Sequence, residues 1–170
     1  MFNMKVALDS CSIILLAKAT VLETLAENYD LCITNTVYKE ILEGKDKKFV
    51  DALLTERLVK ERNIKIKKVK NSKLAKKLIE DFSLGIGESE TLVLAISKQC
   101  EVISTDNKQG RKVAKIYNLN LVGSLDLIIS LYKLKLIDKN KAISALKELK
   151  EFGWFQDYLI EHALEEVKNV

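Results

Sequence analysis

The chain has 170 residues, 48% of them apolar and 31% charged, with six Gly, no Pro and a formal net charge of +4. A chain of this length buries roughly 70% of its unfolded surface, enough for one domain with its own core. The composition excludes disorder, collagen-like repeats and Pro-rich linkers, and no apolar run reaches the ~18 residues of a membrane helix. The start, MFNMKVALDS, lacks the layout of a signal peptide, so a cytoplasmic protein is expected.

Met4–Leu8 is a short β-prone run that stops at Asp9. CSIILLAK and VLETLAENY follow with apolar residues at helical spacing. Leu31–Ile33 reads as a second strand, and Thr34-Asn35-Thr36 caps a helix, VYKEILEG, that ends at Gly44. Residues 46–60 predict an amphipathic helix with Phe49, Val50, Leu53, Leu54 and Leu58 on its apolar side. Asn63–Val69 alternates with period two, as a half-exposed strand near a sheet edge does. Asn71 or Ser72 then caps SKLAKKLIEDF, and the loop SLGIG leads into ESETLVLAISKQ, apolar all round in its middle and therefore buried. Glu101–Ser104 is a fourth strand, GRKVAKIYN a helix, Leu119–Val122 a fifth strand and SLDLIISLYKL a helix. DKNKAISALKEL and QDYLIEHALEEV add a helical C-terminal stretch. Strands alternating with helices predict an α/β fold, with a parallel central sheet of about five strands flanked by helices on both faces. No internal repeat or linker divides the chain, so residues 1–170 read as a single domain, with a core over 1–137 and a helical extension over 138–170.

Cys11, Cys32 and Cys100 are odd in number, far apart and without metal-ligand spacing. They read as small buried residues in a reducing compartment. The single His, His162, leaves histidine-centred catalysis and a zinc cage without their ligands, so any chemistry falls to carboxylates. The 28 basic residues are Lys except for Arg57, Arg62 and Arg111, and nine of them lie between 60 and 77, where Glu61 is the one acid. Such a run can neutralise phosphates without reading bases. A solvated Lys-rich surface is the plainer reading of the same run.

Ligands of open parallel sheets bind beyond the carboxyl ends of the strands. Asp9 directly follows strand one, and Asp106 follows strand four, between Thr105 and Asn107. Glu40 lies in the helix after strand two, and Glu88 and Glu90 open the helix before strand four. Several carboxylates gathered in a dry cleft need a cation, and an all-oxygen set suits Mg²⁺ or Mn²⁺. One or two such ions would activate water against a phosphodiester. Each acid also has a plainer role: Asp9 as a helix cap, Asp106 in an Asx turn, Glu88 against the helix dipole, Glu40 on a solvent face. Their joint placement is what points to metal-assisted hydrolysis of a nucleic-acid backbone.

Four segments in order resemble the PIN domain, the ribonuclease fold of VapC-type toxins, in its branch with a G-x-x-E-x-E-like stretch. They are VALDSCSIILLAK, TNTVYKEIL, GIGESETLVLAIS and VISTDNKQGRKVAK, and LNLVGSLDLIISLYKLKLI matches the family's last strand and the helix after it. The resemblance implies a PIN-like three-layer α/β/α fold with catalytic, metal-binding acids at Asp9, Glu40, Glu90 and Asp106. Glu88 joins the metal set, although in a regular helix it projects about 200° from Glu90, so one of the two faces an ion squarely. Ala95, five residues after Glu90, fits the family's pattern for the third acid. Where the family often has Ser, Thr or Asn two residues after the first acid, this chain has Cys11, so the resemblance implies that Ser10 or Ser12 supplies the polar contact, with Thr105 and Asn107 beside Asp106. Further implications are single-stranded RNA as substrate, contacted by Lys65, Lys67, Lys68, Lys70, Lys108 and Arg111, a homodimer, and a small antitoxin protein as partner.

Cys11 stands where a haloacid-dehalogenase-like phosphatase needs a second Asp, and Gly123-Ser124 follows strand five where a receiver domain needs Lys. Gly85, Gly87 and Gly110 form no phosphate loop. The remaining rival is a non-catalytic PIN-like module that binds RNA or a partner. Near the C-terminus, Phe152, Trp154, Phe155 and Tyr158 read as helix packing or as a dimer or antitoxin contact. Asp126 reads as a helper acid or a first-turn Asp.

Overall fold

Short apolar strands joined through helices can pair only in parallel, because each crossover returns the chain to the same sheet edge. The computed structural model describes residues 2–45 and 49–169. In chain order it contains β1 (Phe2–Leu8), α1 (Ser10–Lys18), α2 (Leu22–Asn28), β2 (Tyr29–Thr34), α3 (Asn35–Leu42), α4 (Val50–Lys60) and β3 (Ile64–Lys67). Then come α5 (Ser72–Phe82), α6 (Ile86–Ile96), β4 (Val102–Ser104), α7 (Lys108–Ile116), β5 (Asn120–Val122), α8 (Ser124–Lys133), α9 (Lys139–Phe152) and α10 (Asp157–Lys168). The five strands form one parallel sheet in the order β3-β2-β1-β4-β5.

Alternate residues of each strand supply opposite faces of the sheet. Val6, Leu8, Leu31 and Ile33 face a core shared with α1–α4 and α8–α10. Ile103 faces the second layer, against α5, α6 and α7, and Ala7 and Cys32 pack there with Leu94 of α6. The result is a three-layer α/β/α fold with a helical C-terminal segment. Leu146 and Leu149 of α9 and Val167 of α10 are fully buried in the same core as Leu8 and Leu16.

Two local features, in α4 and α6, differ from the sequence reading. The start of the helix expected over 46–60 lies, at 46–48, outside the described residues. In α4 the buried stripe is Asp51, Ala52, Thr55 and Leu58, while Phe49, Val50 and Leu53 are exposed. The buried Thr55 hydroxyl donates to the Asp51 carbonyl at 2.7 Å, so this polar position enters the core without an unmet bond. Helix α6 begins at Ile86, two residues before Glu88, because the Glu88 carboxylate turns back to accept the Gly85 N–H at 2.9 Å.

Truncating Leu146 to Ala should cost about 2–5 kcal/mol and lower one cooperative unfolding midpoint. A separate early transition, seen by circular dichroism in urea, would instead show that α9 and α10 unfold on their own.

Candidate active site

The chain leaves β1 and β4 toward opposite edges of the sheet, and that reversal opens a crevice at the strands' carboxyl ends. Leu8 pairs with Ser104 across it, and each strand is followed by an acid, Asp9 and Asp106. Asp9 caps α1: its Oδ1 accepts the Ser12 N–H at 2.8 Å. The Ser12 hydroxyl donates to the Ser104 carbonyl at 3.1 Å, tying the first turn of α1 to the end of β4. Asp9 is 2% exposed, and its Oδ2 is buried without a hydrogen-bond donor among the described residues. Burial lifts the Asp9 carboxyl from its ordinary 3.8 to about 6; the nearby Thr105 and Ser12 groups pull it down and the Asp106 charge pushes it up. The Thr105 hydroxyl lies close but closes no hydrogen bond to Oδ2.

Asp106 is half-buried and rests on the start of α8. Its Oδ1 accepts the Ser124 N–H at 3.0 Å, and the Ser124 hydroxyl donates to Oδ2 at 2.5 Å. A Cβ on Gly123 would stand 2.7 Å from Asp106 Oδ1, so a bare backbone there is what admits the carboxylate. Burial raises the Asp106 pKa, opposed by the Ser124 hydrogen bonds and by Arg111, with Asp126 adding to the rise. Arg111 is fixed by donating to the Thr105 carbonyl at 3.1 Å. Asp126 accepts the Gly123 N–H at 2.7 Å, the first-turn role, and its charge adds to the rise at Asp106. Asn107 accepts from Gln109 and Gly110 and so starts α7 at Lys108. Ser10, Asn107 and Lys108 line the same cleft as Asp106.

Glu40 reaches this side from α3. A Cβ on Gly87 would meet its two carboxylate oxygens at 2.6 and 2.7 Å, so Glu40 is seated on the bare backbone of α6 one residue before Glu88. Glu88 lies near enough to Cys11 to repel its thiolate, as do Asp9 and Asp106. Glu90, within α6, is half-buried. Cys11, expected to be buried, is exposed at the cleft. Partial desolvation and the three acids push its thiol up to about 12, so it is no thiolate nucleophile at neutral pH. Cys32 and Cys100 are buried.

The six residues expected to contact RNA divide. Lys108 and Arg111 stand beside Asp106, but Lys65 pairs with Asp30 at 2.8 Å. Gln99, past the C-terminal end of α6, holds the Lys68 carbonyl at 3.0 Å and the Lys70 N–H at 3.3 Å. Lys67 ends β3 in register with Thr34, the cap of the helix that carries Glu40. Gly87, Gly123 and Ser124 are the site residues that sequence reasoning missed. Their signal was a small residue one position before an acid-bearing turn or directly after a strand.

A divalent cation fits this chemistry, because Asp9 Oδ2 is buried without a donor and Asp9 and Asp106 are both desolvated acids near each other. Among the described residues no three His, Cys, Asp or Glu side chains are gathered into a ready cage. Mg²⁺ commonly takes one or two carboxylates plus water and substrate oxygens, so Asp9 and Asp106 are the residues that could hold it.

In metal-chelated protein the raised Asp9 pKa makes folding favour the protonated acid. Its contribution to stability falls as pH rises from about 4 to about 6 and then levels, a difference of roughly 3 kcal/mol. Asp9→Asn should melt higher than wild type at pH 7 in EDTA, with the gap closing toward pH 4. Equal melting curves at both pH values would show that Asp9 titrates ordinarily.

Among the described residues no helix is long and apolar enough to cross a membrane. Neither a curated protein nor a solved structure gives a significant match to the chain. A family model described as a PIN domain matches residues 5–169. PIN domains are in general nucleases and typically use divalent metal ions. With nearly its whole length matched, and with its acids set around the crevice between β1 and β4, the chain belongs to the PIN-domain family.

Proposed function

We propose that this protein is a Mg²⁺- or Mn²⁺-dependent endoribonuclease that hydrolyses phosphodiester bonds of single-stranded RNA. The observation that carries the reading is the buried Asp9 carboxylate, one oxygen capped by Ser12 and the other without a donor, beside Asp106. A divalent ion there would supply Lewis acidity, polarising a phosphoryl oxygen and lowering the pKa of water. Asp9 and Asp106 would hold it, with Ser12 and Ser124 fixing their orientation. Lys108 and Arg111 place positive charge next to Asp106, where a substrate phosphate would be drawn in. Glu40 and a third acid complete the negative rim. We assign the third role to Glu88 ahead of Glu90, because Glu88 shares the neighbourhood of Asp9 and Asp106 around Cys11. The resemblance to VapC-type toxins extends the reading to a cytoplasmic toxin, homodimeric and restrained by a small antitoxin.

A second reading, RNA binding without cleavage, is favoured by the Lys68–Lys70 segment being held by Gln99, past the C-terminal end of α6, and by no acid of the crevice.

Purified protein should cut single-stranded RNA with Mn²⁺ or Mg²⁺, and EDTA should stop it. Asp9→Asn and Asp106→Asn should each lose at least about 100-fold in rate while still folding, whereas intact RNA with salt-sensitive binding would establish the second reading. Glu88→Gln should cost more activity than Glu90→Gln; the reverse order would return the third acid to Glu90. Gly87→Ala should keep or raise the melting temperature, since Ala favours helix, yet lower activity by displacing Glu40. Unchanged activity in that variant would remove Glu40 from the site.

A further inference from the structure

The cleft that holds Asp106 has a second wall. It encloses about 570 Å³, with Cys11, Asp106 and Lys108 on one side and Phe152, Trp154 and Phe155 from the α9–α10 connection on the other. Trp154, the single Trp of the chain, is fully exposed. A fully exposed Trp is uncommon, because its large apolar face gains most from being covered. The turn that presents it is firmly built. A Cβ on Gly153 would stand 2.4 Å from the Phe155 ring, so that ring lies directly on the glycine backbone, and Phe155 packs partly into the main core. Lys18 lies 4.6 Å from the centre of the Phe152 ring and braces the other flank.

An indole face, apolar walls, a cation and an acid in one cleft are complementary to a nucleotide: a planar base to stack and a phosphate to meet Lys108 and Arg111. We propose that Trp154, flanked by Phe152 and Phe155, is a stacking subsite for a nucleobase of single-stranded RNA next to the phosphate that reaches Asp106. The subsite rests on the nucleolytic reading of this cleft for its substrate. Stacking takes any base, so it contributes affinity and register on the strand with little base preference.

Because Trp154 is the only indole, its own fluorescence reports the contact. The full-length protein in EDTA, where no strand is cut, is titrated with a 2′-O-methyl oligonucleotide carrying a fluorescein end label. Trp emission should be quenched saturably at the concentrations where fluorescein anisotropy rises. An oligonucleotide of the same length with abasic positions should still bind but quench little. Trp154→Ala should weaken binding on the order of 5- to 100-fold, and Trp154→Phe should recover much of it. With Mn²⁺ present, the loss in Trp154→Ala should fall on KM more than on kcat. Binding without quenching, or equal binding by Trp154→Ala, overturns the subsite even if RNA is cleaved. Quenching without cleavage leaves the subsite standing and overturns the nuclease. Emission that changes with protein concentration alone, together with loss of a dimer in Trp154→Ala, assigns the aromatic wall to a second copy and overturns the proposal.

Discussion

A buried carboxylate with one oxygen satisfied and one bare is the interaction around which the site is arranged. Asp9 is held in place by the first turn of α1 and by the Ser12–Ser104 bond that stitches this turn to β4. Neither tie reaches Oδ2. Burying an ionised acid without compensation costs several kcal/mol, so the folded chain tolerates a strained charge at the place where its sheet order opens a crevice. A cation from solution would offset that cost by meeting the lone pairs that Oδ2 leaves without a donor.

The surrounding helices moderate the charge without removing it. Helix α8 starts at Ser124 and offers that residue's N–H to Asp106, and α1 does the same for Asp9 through Ser12. Helix N-termini favour anions, but the effect is about 0.3–1 kcal/mol when exposed and is outweighed here by burial. The two glycines do the complementary steric work. Gly87 and Gly123 leave out the one carbon atom that would push Glu40 and Asp106 from their seats.

The positions of Asp9 and Asp106 were legible because a parallel strand's end is marked in sequence by the break in its apolar run, and both acids follow such breaks. The sheet layers were legible for the same reason: Val6, Ala7 and Leu8 alternate between two cores in step with their neighbours. Glu88 against Glu90 was harder. The contest turns on where α6 begins, and the Gly85–Glu88 cap that moves its start is a tertiary-scale detail of one side chain turning back. In α4 the apolar residues at 49, 50 and 53 misled, because Thr55 buries its hydroxyl by bonding within its own helix. The basic run could not be placed from sequence, since Val69 turns inward beneath α6 and carries Lys68 and Lys70 to Gln99.

One feature of the core bears on how the molecule comes into being. Leu16 of α1 is covered by the same cluster that contains Leu146, Leu149 and Val167. Helix α1, which orients Asp9, also packs on α2, α3 and α4, so α9 adds the outer cover to a flank that earlier helices have begun to close. At ~5–20 residues per second a ribosome supplies Leu149 roughly 2 to 9 s after Asp106. A nascent chain thus carries Asp9, Glu40, Glu88 and Asp106 before the core around α1 is whole, and synthesis sets the acids out ahead of their full enclosure.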